Sequence, residues 1–334
     1  MKKIFIAIVA IAAAALASCA KEELVSLDKG ATIAFSNAFV DNATKAAQDP
    51  SNTTNNLTAF KVYGAVETTT ENVYVNIFSD VDVTKTQTNS TDIGSTGTWW
   101  YDAQHVQYWI EGKDYKFAAV VGGDVSDTDA AGMPTEITVD ATAQQDVLYD
   151  SKTTTGTANA QNVAFTFSHL LSKVKFVANV ATMAEAYSYK VKNITINNVA
   201  DGGVYTIGAT KPWAANTTYY SPSFGNIVAT STEVGADATK LTSGMTGIES
   251  NYERLLVPGT VASISFTVEL YYNDGNGDQC INIDSDPISV DIPLAEGTAY
   301  NFVINLPVPG NPITFSAQAV NTWAGPTGFD VPLQ

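Results

Sequence analysis

The chain is 334 residues long, 45% hydrophobic, 15% charged and 10% aromatic, with 17 basic against 34 acidic residues and a formal charge of −17. That apolar content supports a packed core and excludes wholesale disorder, while the length suggests about two domains. So acidic a chain repels phosphate backbones, which argues against nucleic acid as a partner. Arg254 is the one arginine, and two His with two Cys leave little material for a structural zinc site. The balance points to an extracellular β-protein rather than an enzyme.

Lys2 and Lys3 precede an uninterrupted apolar run from Ile4 to Leu16. As a helix it would span roughly 20 Å, short of the ~30 Å hydrocarbon core, and so fits a secretory leader better than a membrane span. Leu16-Ala17-Ser18-Cys19 resembles the bacterial lipobox. Residues 1–18 are therefore expected to be removed as a lipoprotein signal peptide, leaving Cys19 acylated, for instance with palmitate, at the head of a linker over 19–30. Ala20-Lys21-Glu22-Glu23 is similar to the short Lys-acidic signal that sends Gram-negative lipoproteins to the outer face of the outer membrane. With Cys19 acylated, Cys280 has no intramolecular partner and is expected to be a small buried side chain on a strand.

The remainder reads as strands and turns. Forty residues are Thr, and β-branched and aromatic residues recur in short runs that suit a half-buried pleated surface. The expected strands are Thr32–Val40, Leu57–Glu67, Asn72–Ser79, His105–Ile110, Tyr115–Val121, Val163–Phe167, Lys173–Val180 and Tyr189–Val199, then Leu255–Pro258, Ala262–Tyr272, Gln279–Ile292, Thr298–Leu306 and Ile313–Trp323. Alternation is clearest in Lys173–Val177 and Ser263–Val268, giving each one buried and one wet face. Polar clusters at Asp124–Gly132 and Asn273–Asp278 read as turns, and Ala181–Ala186 as at most one helical turn. Many short strands at this spacing predict an all-β fold of antiparallel β-sandwiches, one over 31–180 and one over 181–334.

A short echo links the two ends. Ile33-Ala34-Phe35-Ser36 with Val40 is repeated as Ile313-Thr314-Phe315-Ser316 with Val320. Both segments place Ile and Phe two residues apart, on one strand face. Catalytic patterns are missing: no GxSxG elbow, P-loop or dinucleotide fingerprint occurs, and a glycosidase-type carboxylate pair stays open only because nothing singles one out. His105 and His169 belong to no metal-ligand spacing and read as surface or turn histidines. Asp274-Gly275-Asn276-Gly277-Asp278 starts like a calcium loop, but Gln279 and Ser285 stand where Gly and Glu are needed, so a hairpin turn is expected. No cofactor and no metal is implied. Trp99, Trp100, Tyr101, Tyr108 and Trp109 either pack in a core or form a stacking platform for glycans, their exposure deciding which.

Several segments, in order, resemble the fimbrillin family, the lipoprotein pilins of type V fimbriae. They are Tyr108-Trp109-Ile110-Glu111-Gly112-Lys113-Asp114-Tyr115-Lys116-Phe117, then Asp146-Val147-Leu148-Tyr149 and Val163–Val174, then Leu255-Leu256-Val257-Pro258, Gly297-Thr298-Ala299-Tyr300 and Val320-Asn321-Thr322-Trp323. The resemblance implies two tandem transthyretin-like antiparallel β-sandwich domains and a subunit of a cell-surface fimbria that supports adhesion. It further implies that a protease removes the first strand, here Thr32–Val40 with Ile33, Phe35 and Phe39 facing the core. A strand from a neighbouring pilin then fills the groove. Processing is expected after Lys45, in Thr44-Lys45-Ala46, since the N-terminal region has no Arg. The segment bearing Ile313 and Phe315 is the candidate donor, and the residues after Trp323 are the alternative. Expected partners are other pilin subunits, the outer membrane through the lipid before processing, and a host or bacterial surface receptor. The competing readings are a non-polymerising tip or accessory pilin and a monomeric glycan-binding lipoprotein.

Overall fold

The computed structural model describes residues 30–40, 57–94, 99–159, 161–183, 187–228, 240–284 and 287–320, the side chains of 37–40 and 284 excepted. Cys19, Lys45, Trp323 and the side chain of Phe39 lie outside the described residues, as does the second half of Ala181–Ala186. Among the described residues there are strands and two short 3-10 turns but no α-helix.

In chain order the first half contains β1 (Ala34–Val40), β2 (Ala59–Glu67), β3 (Tyr74–Thr84), β4 (Ile93–Gly94), β5 (Trp100–Tyr101) and β6 (Asp114–Val121). It continues with β7 (Asp124–Thr128), β8 (Pro134–Asp140), β9 (Leu148–Thr155) and β10 (Asn162–His169). The second half opens with β11 (Ser172–Val180), β12 (Tyr187–Asn197), β13 (Val199–Ala200), β14 (Gly202–Thr206), β15 (Trp213–Ala215), β16 (Tyr219–Tyr220) and β17 (Ser223–Ile227). It ends with β18 (Leu241–Thr242), β19 (Ile248–Glu249), β20 (Arg254–Leu256), β21 (Gly259–Asn273), β22 (Asp278–Asp284), β23 (Ile288–Leu294), β24 (Ala299–Leu306) and β25 (Thr314–Val320).

Side-chain alternation explains which faces close. In β10, Val163, Phe165, Phe167 and His169 are buried while the residues between them are exposed, the period-2 pattern of a strand with one wet face. The first eight-stranded sheet runs β1-β10-β9-β6-β2-β3-β5-β4. Bridges from Phe35 to Trp99 and from Thr32 to Tyr108 bring its two ends together. It therefore curls around a core containing Ile33, Phe35, Phe60, Phe78, Phe117 and Phe165. The second half is a sandwich of β19-β11-β24-β25 against β17-β12-β21-β22, around Phe176, Phe224, Phe302 and their aliphatic neighbours. The fold is an all-β sandwich fold, as the alternation predicts.

Three expectations on strands are corrected. His105–Ile110 is not a strand: Asp102 accepts from the Gln104 amide and starts a 3-10 turn over Ala103–His105, and only Tyr108 makes a bridge. Asp124–Gly132 is not all turn, because Asp124–Thr128 pairs with β8. Gln279–Ile292 divides into β22 and β23, which pair side by side with successive stretches of the long β21.

The change of core falls before β11. Val174, Phe176, Ala178 and Val180 pack in the second core, and β11 pairs in parallel with β24 from Lys173 to Val180. The two halves also share structure. β8 pairs antiparallel with β14 through five residue pairs, in a four-stranded sheet β15-β14-β8-β7. Beneath it lies a third core, including Tyr63, Ala65, Ile137, Val139, Leu171 and Val257. Gln144, at φ 53°, clasps the second half from the first. Its amide donates to the Leu255 carbonyl and accepts from the Leu255 N–H, both at 3.0 Å.

Candidate functional site

The first strand closes the N-terminal barrel, and its environment is the candidate site. β1 pairs in parallel with β10, Ala34 with Asn162 through Val40 with Phe167, with a register shift between Ser36 and Phe39. Parallel pairing is slightly the weaker kind, and among the described residues the other side of β1 makes one isolated bridge, Phe35 with Trp99, after that of Thr32 with Tyr108 just ahead of the strand. Side chains rather than ladder bonds hold it in place.

Ile33 and Phe35 are both 0% exposed. The Phe35 ring lies 5.6–6.4 Å from those of Phe60, Phe78, Tyr101, Phe117 and Phe165. Aromatic rings meeting edge-to-face at such spacings add to simple burial. Burying Ile33 and Phe35 is worth about 3–6 kcal/mol together, a large share of the about 5–15 kcal/mol that holds a domain folded. Phe39 pairs its backbone with Thr166, and its side chain is outside the described residues.

Polar contacts pin the entry of the strand. Ile33 N–H donates to the Gln107 carbonyl and Trp109 N–H to the Ala31 carbonyl, both at 2.9 Å. The Tyr101 hydroxyl donates to the Ile33 carbonyl at 2.7 Å, and burial pushes that phenol's pKa up, keeping it a donor at any physiological pH. Gly30 passes so close to Trp109 that a Cβ there would lie 2.2 Å from the Trp109 carbonyl oxygen. Tyr101, Gln107 and Gly30 were not singled out by sequence for this role. Gly30 directly before a strand is the one local signal, while the other two act across the fold.

The aromatic cluster is core. Trp99, Tyr101 and Trp109 are buried, and Trp109 donates to the Gln161 carbonyl at 3.0 Å. Trp100 and Tyr108 are half-buried, so no flat exposed row exists for sugars to stack on. His169 is corrected from the surface to the interior: it is buried at the end of β10, its Nδ1 2.6 Å from Asp146 Oδ2. The turn brings this about, because the Leu170 N–H donates to the Val147 carbonyl and folds residues 146–147 over it. Cys280 is likewise corrected. It lies on β22 as expected but is exposed, because among the described residues β22 is an edge strand paired with β21 alone. The loop between β21 and β22 is a hairpin turn with Gly275 and Gly277 at positive φ. Among the described residues no group of three or more His, Cys, Asp or Glu is placed to hold a metal.

The candidate donor residues sit elsewhere in the chain. Ile313 and Phe315 pack against the second core, Phe315 with its ring 5.5 Å from that of Phe302. β25 is an edge strand, paired on one side with β24 and half-buried at most along its length.

A fimbrillin-like family model matches residues 44–323. The chain belongs to the fimbrillin-like family. Among solved structures, this fimbrillin is similar to a fimbrial protein from Bacteroides vulgatus at 13% identity, over 88% of this chain and 99% of that one, with a TM-score of 0.61. A fimbrial assembly protein from Parabacteroides distasonis matches at 12% identity over 89% and 97%, with a TM-score of 0.38. The first likeness is one of fold. No curated protein matches. Fimbrillin membership makes the chain a fimbrial or adhesion subunit.

Proposed function

We propose that the chain is a structural subunit of a type V fimbria that polymerises by β-strand exchange and is built from two tandem transthyretin-like sandwiches. It is exported as a lipoprotein acylated at Cys19 and carried to the outer face of the outer membrane. Cleavage after Lys45 then frees the first strand, and a strand from another pilin enters the groove. The observation that supports this most is the position of β1. It closes the curled sheet, it carries the fully buried Phe35 with the fully buried Ile33 directly ahead of it, and its ladder is interrupted. Its loss exposes the Phe60, Phe78, Tyr101, Phe117 and Phe165 rings together with the free edge of β10, a template for strand addition. The donor carries apolar residues at alternate positions, as Ile313 and Phe315 do. The reading contains no catalytic step.

A second reading has a specific observation behind it. β25 is paired along its length with β24 in its own sandwich. A subunit that does not release it caps a fibre as a tip or accessory pilin. Protein displayed on cells and treated with a trypsin-like protease tests both. Fibres by electron microscopy whose subunits begin at Ala46 support the polymer. Fibres whose subunits begin at Cys19 overturn strand removal. Unchanged fibre length after deletion of residues 325–334 rejects the tail as donor.

A further inference from the structure

Alternation along β11 predicts a wet outward face, and that face is dry. Lys175 is 6% exposed and Val177 5%, while their register partners across the parallel β11–β24 ladder, Asn301 and Val303, are 1% and 5% exposed. Phe176 and Phe302, one residue further along, meet in the second core with ring centroids 5.4 Å apart. Successive side chains of a strand alternate between faces. Lys175 and Asn301 therefore point away from that core together.

Register partners on this face touch. Asn179 and Asn305, further along the same two strands, are joined by a hydrogen bond of 3.1 Å from Nδ2 to Oδ1. A lysine side chain is longer than that of asparagine, so Lys175 Nζ is within reach of the Asn301 carboxamide. Asn301 Oδ1 is buried and has no hydrogen-bond partner among the described residues, a costly state for an acceptor. On the other flank of β11, Glu249 of β19 pairs with Val177 and brings Oε1 to 2.5 Å from Lys175 Nζ. An amine, a carboxamide and a carboxylate thus share one dry site, and they are the nucleophile, the acyl group and the proton carrier of an amide exchange.

We infer that Lys175 and Asn301 are joined by an isopeptide bond that the chain forms on itself, with Glu249 as the proton carrier. Glu249 takes one proton from the Lys175 ammonium, and the freed lone pair on Nζ adds to Cγ of Asn301. The Nζ–Cγ bond forms and the Cγ–Nδ2 bond breaks. Glu249 passes on that proton and then a second one from Nζ, so Nδ2 departs as ammonium. One hydrogen stays on the new amide nitrogen, Glu249 ends as it began, and nothing is oxidised or reduced. The product replaces a buried ammonium, expensive to desolvate, by a neutral N–H that can donate to Glu249. It also ties the first strand of the second half to β24 and closes most of that half into one covalent loop, which restricts the unfolded chain as a long-range cross-link does. β24 is the strand that carries β25, so the tie holds the sandwich whether or not β25 is released. It needs no neighbouring subunit and is independent of strand exchange.

Peptide mass spectrometry of the folded full chain tests the bond without any substitution. Trypsin does not cut after an acylated lysine, so residues 174–190 are expected as one branched peptide joined to the fragment that begins at Leu255, lighter than the two together by the elements of ammonia. Cutting after Lys175 as complete as that after Lys190 overturns the bond. Lys175→Arg and Asn301→Ala are each expected to abolish the branch, and a branch that persists in either overturns the assignment. Glu249→Gln is expected to slow appearance of the branch after synthesis by about a hundredfold, and an unchanged rate overturns the role of Glu249. Should a variant not fold, the wild-type digest still decides.

Discussion

The ring of Phe35 lies over that of Phe165, centroids 6.1 Å apart and planes within 21°. This joins the first strand to the strand it pairs with, face to face, in the middle of the N-terminal core. The contact also joins residues on either side of Lys45, so it survives a cut there until the strand itself leaves.

Replacing Phe35 by Ala removes a fully buried ring. A loss of about 3–5 kcal/mol is expected, read as a lower midpoint in urea unfolding at unchanged slope. After proteolytic release of the first strand, wild type and variant are expected to unfold alike. A difference that persists would mean that the strand never left.

Tyr101→Phe keeps the ring and deletes the hydroxyl that donates to Ile33. Leaving that buried carbonyl short of a donor costs about 1–3 kcal/mol. Hydrogen exchange at the amides of Ile33 to Phe35 is expected to accelerate, while the amides of β24 stay protected. Uniform acceleration throughout the chain would count against a local clasp.

Glu269 is held below the ordinary glutamate pKa by a hydrogen bond from Lys192, then by one from the Tyr271 hydroxyl and by the charges of Lys192 and Lys190. A depressed carboxylate contributes stability that is present above its unfolded pKa, about 4.3, and fades as pH falls through the folded value. Glu269→Gln is therefore expected to lower the thermal midpoint at pH 7, and the gap to wild type to close as pH falls through the folded value. An equal gap throughout would show that the charge is not what stabilises.

Cys280 is exposed on an edge strand. In the folded protein it is expected to react with a maleimide as fast as a free thiol, and Cys280→Ser to change stability by less than about 0.5 kcal/mol. Slow labelling would place it under cover, as the sequence predicts.

What sequence reveals here is the inward face of each strand, and what it hides is the partner layer. The alternation of Lys173–Val177 marks the inward face of β11, with Val174 and Phe176 in the core, but the face expected to be wet is not: Lys175 and Val177 are buried as well. The same pattern in Cys280–Ile283 marks a strand equally well, yet burial needs a second layer that the fold does not supply there. β9, Leu148–Thr155, is polar and mostly half-exposed. Its Tyr149 and Thr153–Thr155 have β propensity, but no apolar alternation marks it, and its pairing with β6 is what makes it a strand. At the candidate site Ile33 and Phe35 are legible from their spacing. Tyr101 and Gln107 are not, because their bonds to the strand span long stretches of chain.

The five residue pairs between β8 and β14 bear on how such proteins diversify. A gene cut at Leu171 would yield two products, each with a bared sheet edge and one side of the third core open to water. Neither would be expected to stay soluble by itself. Exchange of one half for another would have to preserve that edge pairing, so the unit that folds is the pair.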